Sequence, residues 1–349
     1  GKQTRIKNQI MTAKSYLGGS KLGLIGFKRF TNAMCLPFVL FACEAPLEMQ
    51  GVEETLEESV RRTDVVQDVV LLPDQTAIFV GGDGLVLEYS ADSQHILRSQ
   101  LGSFSAFPSL IDITMCPDNS VYALSLDGDV WEREAQGNWS AKPVDTEETL
   151  QAIECAPDGK LWLAASFSTL FKSEDRGGSW QSFSTYEDAF LTELDFVNQN
   201  TGFAVGEFGT LMKTNNAGES WDNLASTPYD FYPLSSFFLD EQTGWVGGLN
   251  GDILKTSDGG QSWSNEKVNS EAPIYRIQEI AGEVYAIGNS GTFLRYANDA
   301  WVTVNKGINT YGYLRAIAGN ENAIYLGGQA LATKISMANS PNQTTKINE

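Results

Sequence analysis

Three acidic residues, each placed just before an apolar segment, could do chemistry in this 349-residue sequence. They are Asp68 in VVQD-VV, Asp112 in LID-IT and Glu193 in LTE-LD. Two carboxylates that face each other across a sugar can hydrolyse a glycosidic bond, one as an acid and the other as a base or nucleophile. A glycoside hydrolase is therefore a function that the sequence allows, provided that the fold brings these residues together.

The residues that other catalytic mechanisms require are scarce in this sequence. The chain has one histidine, His95, and it has neither a Cys-x-x-Cys pair nor a grouping of Cys with His. Nucleophilic triads and zinc or haem sites require such groupings. A sialidase needs three clustered arginines, and only Arg276 and Arg315 occupy comparable positions. We therefore expect no catalytic residue, no cofactor and no metal unless the carboxylates form a hydrolase site.

The acidic residues belong to a repeat with a period near 40. The residue before a core apolar position recurs at intervals of 40 to 44 residues, at Asp68, Asp112, Ala152, Glu193, Ser236, Arg276 and Ala316. A second apolar segment and a tight turn such as Asp83-Gly84 or Asn250-Gly251 follow in most units, as in antiparallel hairpins. Seven such units predict an all-β fold, a seven-bladed β-propeller over residues 65–340.

Three units also share the motif [S/T]-x-[D/N]-x-G-x-S-W, over residues 173–180, 214–221 and 256–263. The motif resembles the Asp-box, or BNR repeat, which locks the hairpin between the third and fourth strands of a propeller blade. The resemblance implies structural roles for nine residues: Asp175, Gly177, Trp180, Asn216, Gly218, Trp221, Asp258, Gly260 and Trp263. We expect the three tryptophans to be buried between blades.

The seventh unit is shorter than the others, because only a polar tail at 341–349 follows it. Propeller rings commonly close by borrowing a strand from the other terminus. A segment within residues 57–66 is the candidate for that strand.

Residues 1–43 predict an export signal. Lys28 and Arg29 precede an apolar run from Ala33 to Ala42, which is too short to span a bilayer but suits the core of a signal peptide. Leu40-Phe41-Ala42-Cys43 resembles the bacterial lipobox, in which the cysteine is acylated. An ordinary signal peptide with an incidental cysteine is the alternative. Residues 44–64 then form an acidic linker, and we expect the protein at the periplasmic face of a bacterial membrane, or in the thylakoid lumen of a photosynthetic organism.

The acidity of the chain limits its partners. The formal net charge is −20, and residues 1–42 carry seven basic and no acidic side chains, so the propeller itself is more acidic still. Such a field repels nucleic acid and anionic lipid headgroups. The charge either serves solubility or recognises cations. We expect a monomer with no nucleic-acid partner.

Two cysteines, Cys116 and Cys155, lie near the ends of the first strands of adjacent units. A disulfide between those blades is conceivable in an exported protein. Two small buried apolar side chains are the alternative.

Residues 202–221 and 244–263 also resemble the photosystem II stability and assembly factor family. The segment from Gly244 to Trp263, GWVGGLNGDILKTSDGGQSW, carries the resemblance. It implies a non-enzymatic assembly factor that binds a membrane-protein client. That family is associated with an arginine-rich binding patch, whereas this chain is strongly acidic. A client other than a photosystem is therefore at least as well supported.

The loops that lead into the first strands are rich in aromatic residues, which favour protein interfaces. We expect the client to bind on that side of the ring. The candidate residues are Asp68, Asp112, Glu193, Arg276, Arg315, Tyr229, Phe231, Tyr232 and Tyr311. The alternative is that most of these aromatic residues pack between blades.

Overall fold

The computed structural model describes residues 59–337, apart from 92–94, 225–226, 229, 267, 269, 306 and 309. The predicted signal segment with Cys43, the linker up to residue 58 and the polar tail therefore lie outside the described residues. Within them, no helix is long and apolar enough to cross a membrane.

Antiparallel sheets of four strands follow one another along the first half of the chain. Blade 1 comprises β1 (Val66–Leu71), β2 (Ala77–Gly81), β3 (Leu85–Tyr89) and β4 (Ile96–Gln100). Blade 2 comprises β5 (Leu110–Met115), β6 (Val121–Ser125), β7 (Asp129–Arg133) and β8 (Trp139–Pro143). Blade 3 comprises β9 (Leu150–Cys155), β10 (Leu161–Ala165), β11 (Thr169–Ser173) and β12 (Gln181–Ser184).

The second half of the chain repeats this arrangement. Blade 4 comprises β13 (Leu191–Phe196), β14 (Gly202–Gly206), β15 (Leu211–Thr214) and β16 (Asp222–Asn223). Blade 5 comprises β17 (Pro233–Phe238), β18 (Gly244–Gly248), β19 (Ile253–Thr256) and β20 (Ser264–Glu266). Blade 6 comprises β21 (Ile274–Ile280), β22 (Glu283–Gly288), β23 (Phe293–Ala297) and β24 (Ala300–Thr303). Blade 7 comprises β25 (Leu314–Gly319), β26 (Ala323–Gly328) and β27 (Leu331–Ser336).

These seven sheets form a seven-bladed β-propeller, as the sequence predicted. Six of the seven second strands, such as β2 and β10, are buried along their whole length, because each lies between strands of its own sheet and between two neighbouring blades. A separate apolar cluster fills each interface between adjacent blades. The cluster that contains Phe79 of blade 1 also contains Tyr325 of blade 7, so apolar packing closes the ring.

The seventh blade has three strands among the described residues. We expected a segment within residues 57–66 to supply its fourth strand. Of that segment, residues 59–65 form only an isolated bridge, from Val65 to Gln329, and Val66 already begins β1. The Asp64 carboxylate holds this stretch as a turn, since it accepts the Arg61 N–H at 2.6 Å and binds Arg98 of β4 at 2.6 Å. The expectation is therefore wrong for the described part of the segment.

A disulfide between Cys116 and Cys155 joins blades 2 and 3, with a Cα–Cα distance of 5.2 Å. The Cys155 N–H also donates to the Thr114 hydroxyl of the neighbouring first strand at 3.1 Å. The two possibilities that the sequence left open are thus decided in favour of the disulfide. It fastens two adjacent first strands at the same end of the channel.

Candidate functional site

The first strands of the blades surround a central channel, and the repeat places equivalent residues at one height within it. Asp68, Asp112, Glu193 and Arg276 each lie directly after a β-bulge, at the same position in the pairing of the first and second strands. In blade 5 the equivalent residue is Ser235, not Ser236. Ser236 occupies a buried position that an apolar residue fills in other blades, which shifted the sequence alignment by one residue.

Arg276 binds three carboxylates at once. Its Nη2 atom lies 2.9 Å from Asp68 Oδ2 and 3.2 Å from Asp112 Oδ1. Its Nη1 atom lies 3.4 Å from Glu193 Oε2. The spacing of the repeat therefore brings these four predicted residues together, as one ionic cluster across the channel.

The same carboxylates also connect neighbouring blades. Asp68 accepts the backbone N–H of Ile113 in the next first strand at 3.2 Å, and Asp112 accepts that of Ile153 at 2.8 Å. Asp195, two residues beyond Glu193, accepts the N–H of Phe238 at 2.8 Å. The acidic side chains of the channel thus satisfy backbone donors of adjacent blades, which is a structural role.

Burial and mutual repulsion control the protonation of the cluster. Burial raises the pKa of Asp68 well above its ordinary value and that of Glu193 to about 8, although Arg276 acts in the opposite direction. Burial lowers the pKa of Arg276, but the three carboxylates together raise it by more than burial lowers it. The guanidinium therefore stays charged. Carboxyl groups that lie this close together titrate as a coupled group. Asp68 and Glu193, whose pKa values are both raised, therefore retain a proton between them near neutral pH.

Two cavities lie on either side of this ionic cluster. The cavity toward the loops that enter the first strands measures about 270 Å³, and Arg276, Arg315 and Tyr275 are among its lining residues. The cavity on the opposite side measures about 370 Å³ and is lined by Glu154, Asp195 and others. Since Arg276 lines both cavities, its cluster separates them.

Sequence reasoning missed Glu154 and Asp195, which lie two residues beyond the predicted ring positions. Burial raises the pKa of Glu154 well above its usual range and that of Asp195 to about 6. The signal for both was the strand period of two, which places alternate residues on one face. The described residues contain no group of three or more His, Cys, Asp and Glu arranged to hold a metal ion.

The three Asp-boxes form hairpins with one hydrogen-bond pattern. In the first, Asp175 accepts the Ser179 N–H at 2.8 Å, and the Ser173 hydroxyl accepts the Gly177 N–H at 2.8 Å. The hydroxyl and backbone of Ser179 lower the pKa of Asp175 to about 2. Equivalent bonds hold the hairpins around Asn216 and Asp258. These residues therefore close turns.

The Asp-box tryptophans differ in how deeply they are buried. Trp221 is buried, whereas Trp180 and Trp263 are half-buried. Each contacts the apolar cluster at the interface between its own blade and the preceding one.

We define the entry face as the loops before the first strands together with the turns between second and third strands. Backbone hydrogen bonds join the two sets, for example from Leu126 to Ser109 and from Leu249 to Tyr232. The hairpins between first and second strands and between third and fourth strands form the opposite side, the Asp-box face. The cavity that Arg315 lines therefore opens toward the entry face.

Exposed apolar side chains concentrate on the entry face. Eight of the eleven large apolar residues that are exposed in the described part of the chain lie there: Phe104, Leu126, Phe167, Tyr186, Phe208, Tyr232, Leu249 and Tyr311. Phe104, Tyr311 and Tyr186 are 99%, 91% and 85% exposed. The other three, Leu97, Leu239 and Val302, are dispersed over the outer strands and the Asp-box face.

The predicted aromatic residues fall into two groups. Tyr232 and Tyr311 are exposed, and the Tyr232 hydroxyl donates to Glu207 at 2.8 Å. Phe231 is half-buried and packs against the interface of blades 4 and 5, and Tyr229 lies outside the described residues. Arg315 lies over the rings of Tyr275 and Tyr313, 4.3 and 5.6 Å from their centroids.

The turns between second and third strands add four residues that sequence reasoning missed: Leu126, Phe167, Phe208 and Leu249. Phe167 and Phe208 adopt left-handed backbone conformations, with φ of 53° and 55°, which bulky residues rarely adopt. Such conformations occur at functional sites and also in structural turns of this chain, for example at Arg176 and Ala217 of the Asp-box hairpins. The signal in the sequence was Phe208-Gly209 at a turn where Asp-Gly or Asn-Gly occurs in other units.

Fold and site together define a BNR-repeat β-propeller whose channel is closed by ionic contacts and whose exposed apolar surface lies on one face. Residues 112–215 match the family model of the photosynthesis system II assembly factor YCF48. The chain is a YCF48-like BNR propeller. No curated protein sequence matches it.

Solved structures share the fold at low sequence identity. YCF48 from Cyanidioschyzon merolae superposes with a TM-score of 0.64 and 13% identity, over 79% of this chain and 97% of that one. YCF48 bound to a D1 peptide gives 0.64 and 12%, over 78% and 92%. A catalytically inactive virginiamycin B lyase from Staphylococcus aureus with quinupristin gives 0.68 and 11%, over 79% and 96%. At these identities the likeness shows the fold alone.

Proposed function

We propose that this protein is a non-enzymatic assembly or stability factor that binds a membrane-protein client on its entry face. The observation that carries the proposal is the concentration of eight exposed apolar side chains on that face. Exposed aromatic residues give large contact area at low cost in entropy and commonly dominate protein interfaces. Phe208 also supports the proposal, since this exposed aromatic residue occupies a left-handed turn position that Asp83 and Ser290 fill in other blades.

The likeness to YCF48 supports the same function, because one YCF48 structure contains a D1 peptide. A client of that kind would be a segment of a membrane protein, and the entry face offers a surface rather than a deep pocket for it. The cavity behind that surface measures about 270 Å³, which suits a side chain or two of the client.

The enzymatic alternative has less support from the channel. Asp68, Asp112 and Glu193 all bind Arg276, and all three also accept backbone N–H groups. A glycosidase needs one carboxyl group free to donate a proton and a second free to act as base or nucleophile. If the protein hydrolyses a glycan, and if Asp68→Asn or Glu193→Gln abolishes that activity, the enzymatic alternative is restored.

Capture of membrane proteins by the tagged full-length chain tests the proposal. Replacing Phe104, Tyr186 and Tyr311 together with Ala should reduce capture from solubilised membranes of the source organism by about tenfold or more, because interface aromatics contribute most of the binding energy. All three side chains are largely exposed, so the melting temperature should not change.

The matched control replaces Leu97, Leu239 and Val302 with Ala, since these are the exposed apolar residues elsewhere on the described surface. This variant should capture the client normally. If the control loses capture while the entry-face variant retains it, the binding face is wrongly assigned.

We also propose that the protein is exported and anchored through an acylated Cys43. The support is the lipobox-like sequence Leu40-Phe41-Ala42-Cys43 behind a short apolar run. Cys43→Ser should release the protein from membranes into the soluble fraction, since one thioether-linked anchor would be lost. Intact-mass analysis of the mature N-terminus checks this directly, and an unmodified Cys43 there would contradict it.

A further inference from the structure

The exposed apolar residues of the entry face are not evenly surrounded by charge. Six of them, all but Phe104 and Tyr311, lie in the part of this face that belongs to blades 2 to 5. We call this part the acidic sector, and it comprises residues 126–128, 144–149, 166–168, 185–190, 207–210, 227–228, 230–232 and 249–252. Its loops form a continuous arc, because consecutive blades contribute them.

Charge of a single sign fills this sector. Its loops contain nine acidic residues and no Lys or Arg: Asp127, Asp145, Glu147, Glu148, Glu187, Asp188, Glu207, Asp230 and Asp252. None of the nine forms an ion pair with a described residue, whereas ion pairs recur on the outer strands and on the Asp-box face. The negative field here is therefore uncompensated and faces solvent together with the apolar side chains.

Such a surface selects its partner by charge. A carboxylate-rich rim around apolar contacts repels acidic proteins and anionic lipid, and it speeds the approach of a positively charged partner. We propose that the acidic sector binds a basic amphipathic segment of the client, with Lys or Arg residues beside apolar ones. This inference rests on the proposed function and specifies the chemistry of the client.

The aromatic and the acidic side chains of this sector have separate roles. Tyr186 is flanked directly in sequence by Glu187 and Asp188, and Phe208 by Glu207. An apolar group of the client that contacts either ring therefore brings its neighbouring cations within reach of carboxylates. The Tyr232 hydroxyl donates to Glu207, so one carboxylate is already oriented at this surface.

Three synthetic peptides serve as probes with the full-length protein. The first is an amphipathic peptide with Leu and Phe on one face and Lys on the other, the second has Glu in place of every Lys, and the third has Ser in place of every Leu and Phe. The affinity of the first peptide should be at least about tenfold higher than that of either other peptide. Added salt should weaken its binding, as for rim charges at interfaces. Fluorescence anisotropy measures all three affinities.

Two charge-reversed variants locate the effect. Asp145→Lys with Asp188→Lys, in the acidic sector, should weaken the Lys peptide about tenfold. Glu134→Lys with Glu321→Lys, at exposed positions on the Asp-box face, changes the net charge equally and should leave the affinity within about twofold of the unmodified protein. All four acidic side chains are exposed and form no ion pair with the described residues.

The outcomes separate this inference from the proposed function. Equal binding of the Glu and Lys peptides, or equal effects of the two charge-reversed variants, would overturn the inference and leave client binding through the entry-face aromatics intact. Equal binding of the Ser peptide would show non-specific attraction to an acidic protein and would also overturn it. If the triple aromatic variant still captures its client, the proposed function fails independently.

Discussion

Replacing Arg276 with Met should lower the free energy of unfolding by about 3–5 kcal/mol at pH 8, because it leaves buried carboxylates without their cation. Arg276 binds Asp68, Asp112 and Glu193 at distances of 2.9–3.4 Å. Each of these residues comes from a different first strand, so the loss affects four blades. Denaturant unfolding followed by tryptophan fluorescence measures the change.

The destabilisation caused by Arg276→Met should increase as the pH rises. The folded-state pKa is raised to about 6 for Asp195 and about 8 for Glu193, above the value of about 4 expected in the unfolded chain. The folded protein therefore binds more protons, and the stability from these groups is complete below about pH 4 and is lost as the pH rises through about 6 to 8. Without Arg276 this loss grows, so the variant should be nearest to the unmodified protein in acid.

Two further variants control this prediction. Arg295→Met removes an exposed ion pair with Glu283, 2.8 Å long, and should cost less than about 1 kcal/mol. Adding Asp68→Asn and Glu193→Gln to Arg276→Met should recover part of the loss, because only Asp112 of the three carboxylates then lacks its cation. If Arg276→Met costs no more than Arg295→Met, the ionic cluster does not hold the ring together.

Trp221→Ala should lower the free energy of unfolding by about 3–5 kcal/mol, as for other buried large-to-small changes. The Trp221 ring lies 5.6 Å from that of Trp162 and 5.9 Å from that of Phe196, between blades 3 and 4. A Cβ on Gly218 of the same hairpin would lie 2.2 Å from Trp162, so the site is tightly packed. Urea unfolding at neutral pH gives the change.

Trp263→Ala is the matched comparison, because Trp263 occupies the same motif position but is half-buried. It should cost about half as much, in proportion to the apolar area that it buries. Client capture by the folded fraction of both variants should be unchanged. A Trp221→Ala protein that keeps its melting temperature but loses capture would show that this residue binds the client.

The sequence predicted the fold because its information is periodic. A period near 40 with Asp-box hairpins gives both the blade and the number of blades, and equivalent positions then fall at one height of the channel. This is why Asp68, Asp112, Glu193 and Arg276 could be grouped from spacing alone. In blade 5 the predicted position is wrong by one residue, because Ser236, a polar residue, fills a core position and Ser235 is the equivalent residue.

Other features depend on tertiary packing that spacing does not encode. Phe107 and Phe231 lie in the same kinds of loop as Phe104 and Tyr232, yet the first two are half-buried and the last two exposed. The contact with a neighbouring blade, not the local sequence, decides between these outcomes. The turn between Asp64 and Arg61 likewise depends on Arg98 from a distant strand, so the closure of the ring could not be predicted.

Site-specific photo-crosslinking in cells of the source organism tests the central claim most directly. A photoreactive amino acid would replace Phe104, Tyr186 or Tyr311 on the entry face, and Leu97, Leu239 or Val302 elsewhere, all of them exposed positions. We predict that the three entry-face positions crosslink to an integral membrane protein, identified by mass spectrometry, and that the other three do not. Crosslinks to that protein from Leu239 on the Asp-box face, with none from the entry face, would contradict the account.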